Sequence, residues 1–536
     1  MRFALHSKKA ILTLLATVLF FILLAAVLFS RAVFMPVSHD EYQFVASAHF
    51  FKENLLLPYL HYPFLHMPYI PVVGSLALLF TRYELFAIRL LNSVFTLSSM
   101  LLLFDLVFRQ GSLAKTWQRA LFGVTAVLLF IANPSFIEID GRALNHALPI
   151  FLSIATFWLW IRASHPQHSS RVSFICGLLA GLAAGVRLSY LVLLFPLLFA
   201  ILFDPLLASP KQRLRGGVAL SLGFILALLP ASVLFLIAPR PFIYGNVHYN
   251  VLNAIYRQNL GSSDSITFLN KSAMLLEYVT GDPANSLLYL IAFAIFCAAF
   301  IHWIKTRDRA VFQIILLFVY SLVLLAAGFA PTPSWPQYFI ALTPFLILSL
   351  FWGLALLLEG RPVIAWAIIA CLGLAFTANR PLQEIPAQLA RLPRQEQWVP
   401  LQLHRFAGEI RAGAGCQDAN CTLLTLAPLY PIEAALSSYP MFTVGSFSWR
   451  TAPILPAQTR AAYHIVSYEE LDAFLAPDPP DAILTGTEAN YDGFTTEDPG
   501  GLDQPFVDYA TRNHYRPIPV SGVMNNQTIQ LTIWVK

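Results

Sequence analysis

The sequence predicts a mainly α-helical fold: a polytopic transmembrane helical bundle of about 11 to 13 spans, followed by a C-terminal extramembrane α/β domain. Of the 536 residues, 57% are hydrophobic and 12% are charged, whereas ordinary soluble domains carry about 25% charged residues. Apolar stretches of roughly 20 residues, each long enough to cross a bilayer, recur through residues 1–380. Residues 381–536 are mixed polar. We therefore divide the chain into a transmembrane domain, 1–380, and a small second domain, 381–536.

The first predicted span is the apolar run from Ala10 to Ser30, which follows Arg2, Lys8 and Lys9. A signal peptide is the alternative interpretation, but the run is long for a signal-peptide core and has no clear small-residue cleavage site. Basic residues before an apolar run favour a cytosolic N-terminus. We expect an uncleaved span that emerges on the outer side of the membrane.

The basic connections between later apolar runs determine the predicted topology, because Lys and Arg concentrate in cytosolic loops. The residues that we place in the cytosol are Arg109, Lys115, Arg119, Arg162, Arg171, Lys211, Arg213, Arg215, Lys305, Arg307, Arg309 and Arg361. The connections that should then face outward are 31–68, 132–142, 187–190, 239–284 and 331–337.

Two segments are predicted to be shorter than a full span. Residues 66–80 begin with His66-Met67-Pro68, and a full crossing there would place the basic residues of the next connection outside, so we expect a re-entrant element. Residues 172–205 have basic residues at both ends and Arg187 in the middle, which indicates two short helices in a hairpin. This leaves eleven full spans, and a count of twelve or thirteen stays open.

The second domain carries a mixed helix and strand pattern. Residues 421–427, 481–486 and 528–535 are typical of strands, and 468–474 of a helix. Eleven spans from a cytosolic N-terminus place this domain outside. Its segments 427–433 and 447–450 could hold part of an acceptor, and a simple cover over the membrane site is the alternative. A disulfide between Cys416 and Cys421 would agree with an oxidising compartment, and two free thiols are the alternative.

The polar residues of interest fall on the outward connections. Asp40 and Glu41 follow the first span, with His61 beyond them. A second group comprises Glu138, Asp140, Arg142 and His146. Ionisable residues at a span boundary are costly unless they are paired or functional. Structural roles are the alternative: Asp40 and Glu41 as a helix cap, His146 as a core histidine and Arg187 as a residue that reaches the interface.

Together these residues resemble a known group, the polytopic GT-C glycosyltransferases, which include protein O-mannosyltransferases and lipid A aminoarabinose transferases. The resemblance covers residues 1–380. Its motifs are Asp40-Glu41, a Pro-containing juxtamembrane segment, Asp140 after Asn133-Pro134, Gly181-Leu-Ala-Ala-Gly-Val-Arg187 and Pro336-Gln-Tyr-Phe-Ile-Ala-Leu-Thr-Pro344. Where some relatives have a lysine before the juxtamembrane Pro, this chain has His66-Met67-Pro68, so no catalytic lysine is carried over.

The resemblance implies an inverting transfer of a sugar from a polyprenyl-phosphate donor to a lipid, glycan or protein acceptor, on the outer face of a bacterial inner membrane. It implies Asp40 as the base that takes the acceptor proton, with Glu41 as support or alternate. It implies Arg187 at the donor phosphate and Tyr338 near the head group. The weaker phosphate candidates are Arg142, Arg257, Arg240 and Lys271.

A divalent metal is a possible cofactor. Its candidate ligands are Asp40, Glu41, Asp140, His146 and His61, although their spacing matches no metal motif. Membrane lipids are expected partners, and no basic block indicates nucleic-acid binding. A transporter or flippase of lipid-linked sugars is the alternative function. It would predict inverted repeats around a midplane site, and none is evident. A non-catalytic assembly or sensor protein is a third possibility.

Overall fold

The computed structural model describes residues 8–109, 115–162, 169–205, 207, 209–261, 266–357, 362–377, 380–417, 420–488, 501–525 and 527–536. In the first region the α-helices are α1 Lys8–Phe34, α2 Asp40–Asn54, α3 Tyr69–Leu78, α4 Glu84–Phe108, α5 Thr116–Ile131, α6 Pro134–Ile139, α7 Ala147–Arg162, α8 Ser169–Val186, α9 Leu194–Phe203, α10 Pro210–Ile237, α11 Pro239–Ile243, α12 Tyr249–Asn259, α13 Phe268–Thr280, α14 Pro283–Thr306, α15 Arg309–Phe329, α16 Thr343–Leu357 and α17 Pro362–Thr377. Shorter helical turns cover Leu188–Leu193, Tyr244–His248 and Pro336–Leu342.

Among the described residues, six helices are long and apolar enough to cross a membrane: Lys8–Phe34, Glu84–Phe108, Pro210–Ile237, Pro283–Thr306, Arg309–Phe329 and Pro336–Leu356. Shorter apolar helices lie at Thr116–Ile131, Ala147–Arg162, Ser170–Val186, Leu188–Phe203 and Trp366–Ala375. The helix Tyr69–Leu78 has ten residues, about 15 Å, and is too short to cross roughly 30 Å of hydrocarbon. The polytopic helical fold is therefore confirmed, and residues 66–80 contain a short helix, as expected.

The predicted break at Arg187 is present. Helix α8 ends at Val186, Arg187 is extended at φ −148° and ψ 120°, and a helical turn leads into α9. Helix α8 is fixed by close packing on α10, where a Cβ at Gly177 would overlap the carbonyl of Leu220. Small residues permit such close approach between membrane helices. The packing thus places Arg187 at one end of the helix pair.

The basic connections meet acidic residues at the end of the bundle far from Arg187. Asp105, in the last turn of α4, pairs with Arg109 at 2.6 Å and Arg162 at 3.7 Å. Asp204, after α9, lies 3.5 Å from Arg309 at the start of α15. Loops that the charge pattern assigned to one side therefore share one end of the bundle.

The second region is a small α/β unit. Its α-helices are α18 Arg380–Arg391, α19 Val399–Gly413, α20 Leu429–Glu433, α21 Ser446–Thr451, α22 Ala457–Ala462, α23 Leu471–Leu475 and α24 Gln504–Arg512, and its strands are β1 Leu423–Leu424, β2 Ala482–Thr485, β3 Arg516–Met524 and β4 Gln527–Val535. The four-stranded sheet has the order β1-β2-β4-β3. Strands β1 and β2 are parallel, and the other pairs are antiparallel.

The three predicted strands are present, the first reduced to two residues, and the predicted helix at 468–474 is a helical turn followed by α23. The pattern missed β3, because Pro517 and Pro519 interrupt it. Proline is tolerated on an edge strand, and β3 is an edge of this sheet. Cys416 and Cys421 form a disulfide. The domain boundary at residue 380 stays a prediction.

Candidate active site

A cavity of about 330 Å³ lies where the connections that were predicted to face outward converge. Its walls come from five parts of the first region, residues 38–66, 142–146, 187, 249–257 and 333–338, and from residues 447–450 of the second region. Each of the five connections assigned to the outer side supplies or directly adjoins a wall. The charge pattern therefore grouped the connections correctly, and the structure brings them to a single site.

Six of the predicted site residues line this cavity. They are Asp40, Arg142, His146, Arg187, Arg257 and Tyr338. The other three predicted residues, Glu41, Asp140 and His61, do not line it.

Glu41 is buried in a structural role, which corrects its assignment as an alternate base. Its side chain is 0% exposed. One carboxylate oxygen accepts hydrogen bonds from Arg89 Nε at 2.8 Å and from the Ala143 backbone at 2.6 Å. The other oxygen accepts from Arg89 Nη2 at 2.7 Å and from the Ser38 backbone at 2.9 Å. With both oxygens occupied, Glu41 joins the Ser38, Ala143 and Arg89 segments and has no room for an acceptor.

Asp140 and His61 also lie elsewhere. Asp140 is buried 3.2 Å from Arg31 Nε. Burial raises the pKa of Asp140 to about 6, against the opposing effect of the Arg31 charge. His61 is exposed at a turn, where its Nδ1 accepts a hydrogen bond from the Leu57 backbone at 2.8 Å.

Two of the weaker phosphate candidates lie outside the cavity. Arg240 is exposed. Lys271 donates hydrogen bonds to the carbonyls of Phe329 and Pro331 at 2.8 and 2.7 Å. Lys271 therefore fixes the segment that leads to the cavity residue Trp335.

Asp40 begins helix α2 at the cavity wall, with a side chain that is 45% exposed. His39 Nε2 lies 3.5 Å from its carboxylate. Burial lowers the pKa of His39 well below its usual value, and the charges of Arg450, Arg257 and Arg142 lower it further. Asp40 is therefore an accessible carboxylate beside a neutral histidine.

Arg187 is held by neutral groups. Its Nη1 donates a hydrogen bond to His146 Nδ1 at 2.8 Å, and its guanidinium lies 4.4 Å from the ring centroid of Tyr338. Burial and the Arg187 charge lower the pKa of His146 well below its usual value, as an acceptor nitrogen requires. Burial and the same charge lower the pKa of His66 to about 3. Within the described residues, Arg187 forms no ion pair with a carboxylate.

The second region contributes Arg450, which lies in the predicted acceptor segment 447–450 but had no individual role assigned from the sequence. Arg450 Nη2 donates hydrogen bonds to Asn253 Oδ1 at 3.0 Å and to Tyr249 Oη at 3.4 Å. The ring of its neighbour Phe447 lies 4.7 Å from that of His39. These residues meet only through the tertiary fold, so the sequence could not assign their individual roles.

Gln43, Asn145 and Trp335 were also missed. A weak signal existed for Gln43, because it follows Asp40 by three residues and so shares a face of helix α2. Trp335 lies under Arg257, with the guanidinium 5.1 Å from the ring centroid.

The charge of the lining favours an anionic ligand. Four arginines, Arg142, Arg187, Arg257 and Arg450, face one carboxylate, Asp40. With neutral histidines the formal charges sum to about +3, and charge of one sign in a cleft attracts the opposite charge.

The metal ligands suggested by the sequence do not converge. Asp140 is paired with Arg31, and His146 accepts a hydrogen bond from Arg187. In the described part of the chain, no group of three or more His, Cys, Asp or Glu residues is placed to hold a metal ion. The side chains of this cavity thus do not fit a metal site.

The fold and the site define a polytopic helical membrane protein, and comparison with solved structures confirms the fold that the resemblance implied. Two crystal structures of ArnT from Cupriavidus metallidurans, one bound to undecaprenyl phosphate and one in the apo state, are similar to this chain with TM-scores of 0.55 and 0.56. Each is 12% identical to this chain. The match covers 96% of this chain and 97% of the ArnT chain. At this identity the likeness shows the fold. No protein-family model and no curated protein matches the sequence.

Proposed function

We propose that this protein is an inverting glycosyltransferase that moves a sugar from a polyprenyl-phosphate donor to a lipid, glycan or protein acceptor. The observation that carries the proposal is the cavity itself, in which one partly exposed carboxylate, Asp40, faces four arginines. A base and a cationic phosphate site are the two groups that such a transfer needs.

The donor phosphate lies at Arg187 in this proposal. Its partners His146 and Tyr338 are neutral, so the guanidinium charge is available to a phosphate oxygen. Arginine forms strong, directional hydrogen bonds to phosphate. The similarly folded ArnT was crystallised with undecaprenyl phosphate, which supports a lipid-phosphate donor here.

The chemistry is a single displacement at the anomeric carbon. Asp40 takes the proton of the acceptor hydroxyl as its oxygen forms a bond to that carbon. The bond between the carbon and the phosphate oxygen breaks, and its electron pair stays on the lipid phosphate. The arginines stabilise this developing charge. Attack opposite the leaving group inverts the configuration, and Asp40 can return its proton to solvent because it is partly exposed.

The site faces the outer side of a bacterial inner membrane in this proposal. The charge pattern assigns the cavity connections to that side. The disulfide between Cys416 and Cys421, in the region that also supplies Arg450, supports an oxidising compartment for that region. The second region would then bound the side of the cavity from which an acceptor approaches.

The test uses purified protein in detergent with a panel of undecaprenyl-phosphate-linked sugars. We expect release of undecaprenyl phosphate from one sugar class, faster when a suitable acceptor is present. If no lipid is cleaved, but the intact lipid-linked sugar moves across the bilayer of reconstituted vesicles, the enzyme proposal is overturned in favour of a flippase.

A further inference from the structure

Two buried amide side chains in the cavity wall have atoms that lack hydrogen-bond partners. Gln43 and Asn145 are 4% and 3% exposed, and both line the cavity. Within the described part of the chain, Gln43 Oε1 and Asn145 Nδ2 have no hydrogen-bond partner. Buried polar atoms are nearly always paired in folded proteins, so these unpaired amide atoms require an explanation.

Their positions flank the place where the reaction would occur. Gln43 lies three residues after Asp40 on helix α2, so the two share a face. Asn145 immediately precedes His146, the hydrogen-bond partner of Arg187. A sugar that is attacked beside Asp40 and is linked to a phosphate at Arg187 would lie in the cavity that both amide residues line.

Hydrogen bonds with Asn92 and Glu41 fix the segment that carries Asn145. Asn92 Nδ2 donates hydrogen bonds to the Arg142 carbonyl at 2.9 Å and to the Leu144 carbonyl at 2.7 Å. Glu41 accepts from the Ala143 backbone. Asn145 is thus held at the wall by a rigid support, which is the arrangement expected of a preorganised binding group.

The chemistry of the two atoms selects the ligand. The amide oxygen of Gln43 can accept a hydrogen bond and the amide nitrogen of Asn145 can donate one, so the pair can bind both donor and acceptor groups. A hydroxyl group can satisfy either atom. The positive lining charge further disfavours an amino sugar.

We infer that Gln43 and Asn145 form a sugar subsite that recognises the hydroxyl groups of a donor sugar that carries no amino group. This inference rests on the proposed function and adds the sugar class and two specificity-determining residues to it. Arg187 binds the phosphate, and the two amides add affinity only when a hydroxylated sugar is attached.

The experiment compares the affinity for undecaprenyl phosphate with that for the same lipid bearing a neutral hexose, an aminohexose or a hexuronic acid. The variants are Gln43→Met and Asn145→Leu, which keep the approximate size and remove the hydrogen bond. We expect the neutral hexose to add more affinity than the aminohexose in the wild type. Each variant should reduce that increment about tenfold, with unchanged affinity for undecaprenyl phosphate.

Arg187→Ala is the contrasting variant, because it should reduce the affinity for undecaprenyl phosphate and for the sugar-linked lipid by the same factor. Thermal unfolding without lipid serves as the folding control, and both amide variants should unfold at or above the wild-type temperature, since they remove an unpaired buried polar atom.

Two results would overturn the inference while leaving the transferase proposal in place: an unchanged hexose increment in both variants, or a hexose that adds no affinity in the wild type. A preference for the aminohexose would also reject it. Absence of binding by either lipid would instead reject the proposed function, and the inference with it.

Discussion

Arginine and carboxylate side chains meet in two adjacent regions of this protein, and their charges are balanced differently. In the first, which we term the anchor cluster, Arg31 pairs with Asp140 and Arg89 pairs with Glu41. In the second, the cavity, four arginines face the single carboxylate of Asp40. The anchor cluster is buried and balanced, whereas the cavity is open and positively charged.

The anchor cluster serves the cavity by fixing two connections against each other. Arg89 donates hydrogen bonds to the carbonyls of Ala32 and Met35 at 3.2 and 2.8 Å, and Arg31 donates to that of Ile137 at 3.0 Å. Together with Glu41, these bonds hold the segments that end in Asp40 and in residues 142–146. Two adjacent carboxylates therefore have different roles: Asp40 faces the cavity as the proposed base, and Glu41 fixes the surrounding segments.

The largest effect should come from Asp40→Asn. We expect transfer to fall about 10²- to 10⁴-fold, the usual contribution of a general base, because the amide cannot take the acceptor proton. The melting temperature should stay within a degree or two of wild type, since Asp40 is partly exposed. Asp472→Asn, at an exposed ion pair with Arg512, is the control. A variant with near-normal turnover would remove Asp40 from the mechanism.

Glu41→Gln should lower the stability of the folded protein, whereas Asp40→Asn should lower its activity. It leaves the Arg89 charge buried without its counter-charge, and breaking a buried pair costs about 3–5 kcal/mol. We expect a clear fall in melting temperature in detergent. Glu53→Gln, in the exposed pair with Lys52 on the same helix, should cost less than about 1 kcal/mol. Equal melting temperatures for the two variants would contradict the anchor role.

Arg450→Gln tests whether the second region belongs to the site. Loss of one charge-assisted hydrogen bond to a ligand should raise KM about tenfold, with a smaller change in kcat. Arg512→Gln removes an exposed arginine of the same region and should leave KM unchanged. If Arg450→Gln lowers the melting temperature but leaves KM as in wild type, Arg450 only joins the two regions.

A smaller effect concerns pH. The pKa of His66 in the folded protein is about 3, below its ordinary value near 6.5. The unfolded chain therefore binds a proton before the folded one does, so the stability from neutral His66 is complete above pH 6.5 and declines towards pH 3. We expect His66→Gln to lose fewer degrees of melting temperature than wild type between pH 7 and 5. Parallel curves, as expected for the exposed His514→Gln, would contradict this.

The sequence predicted the fold and the grouping of the connections because both depend on local composition. Apolar length identified the helices, and the distribution of Lys and Arg assigned the connections that meet at the cavity. The sequence could not separate Asp40 from Glu41, because the partner that buries Glu41 is Arg89, 48 residues further along the chain. The individual role of Arg450 was not predicted for the same reason, since its partner Asn253 is 197 residues away.

The most direct test of the account is the stabilisation of the protein by undecaprenyl phosphate, measured by thermal unfolding in detergent. A ligand that binds the folded state raises its apparent stability in proportion to the logarithm of its concentration. We predict stabilisation of wild type and of Arg512→Ala at equal lipid concentrations, with Arg187→Ala requiring about tenfold more lipid. Identical curves for Arg187→Ala and wild type, or no stabilisation at all, would contradict a lipid-phosphate site at Arg187.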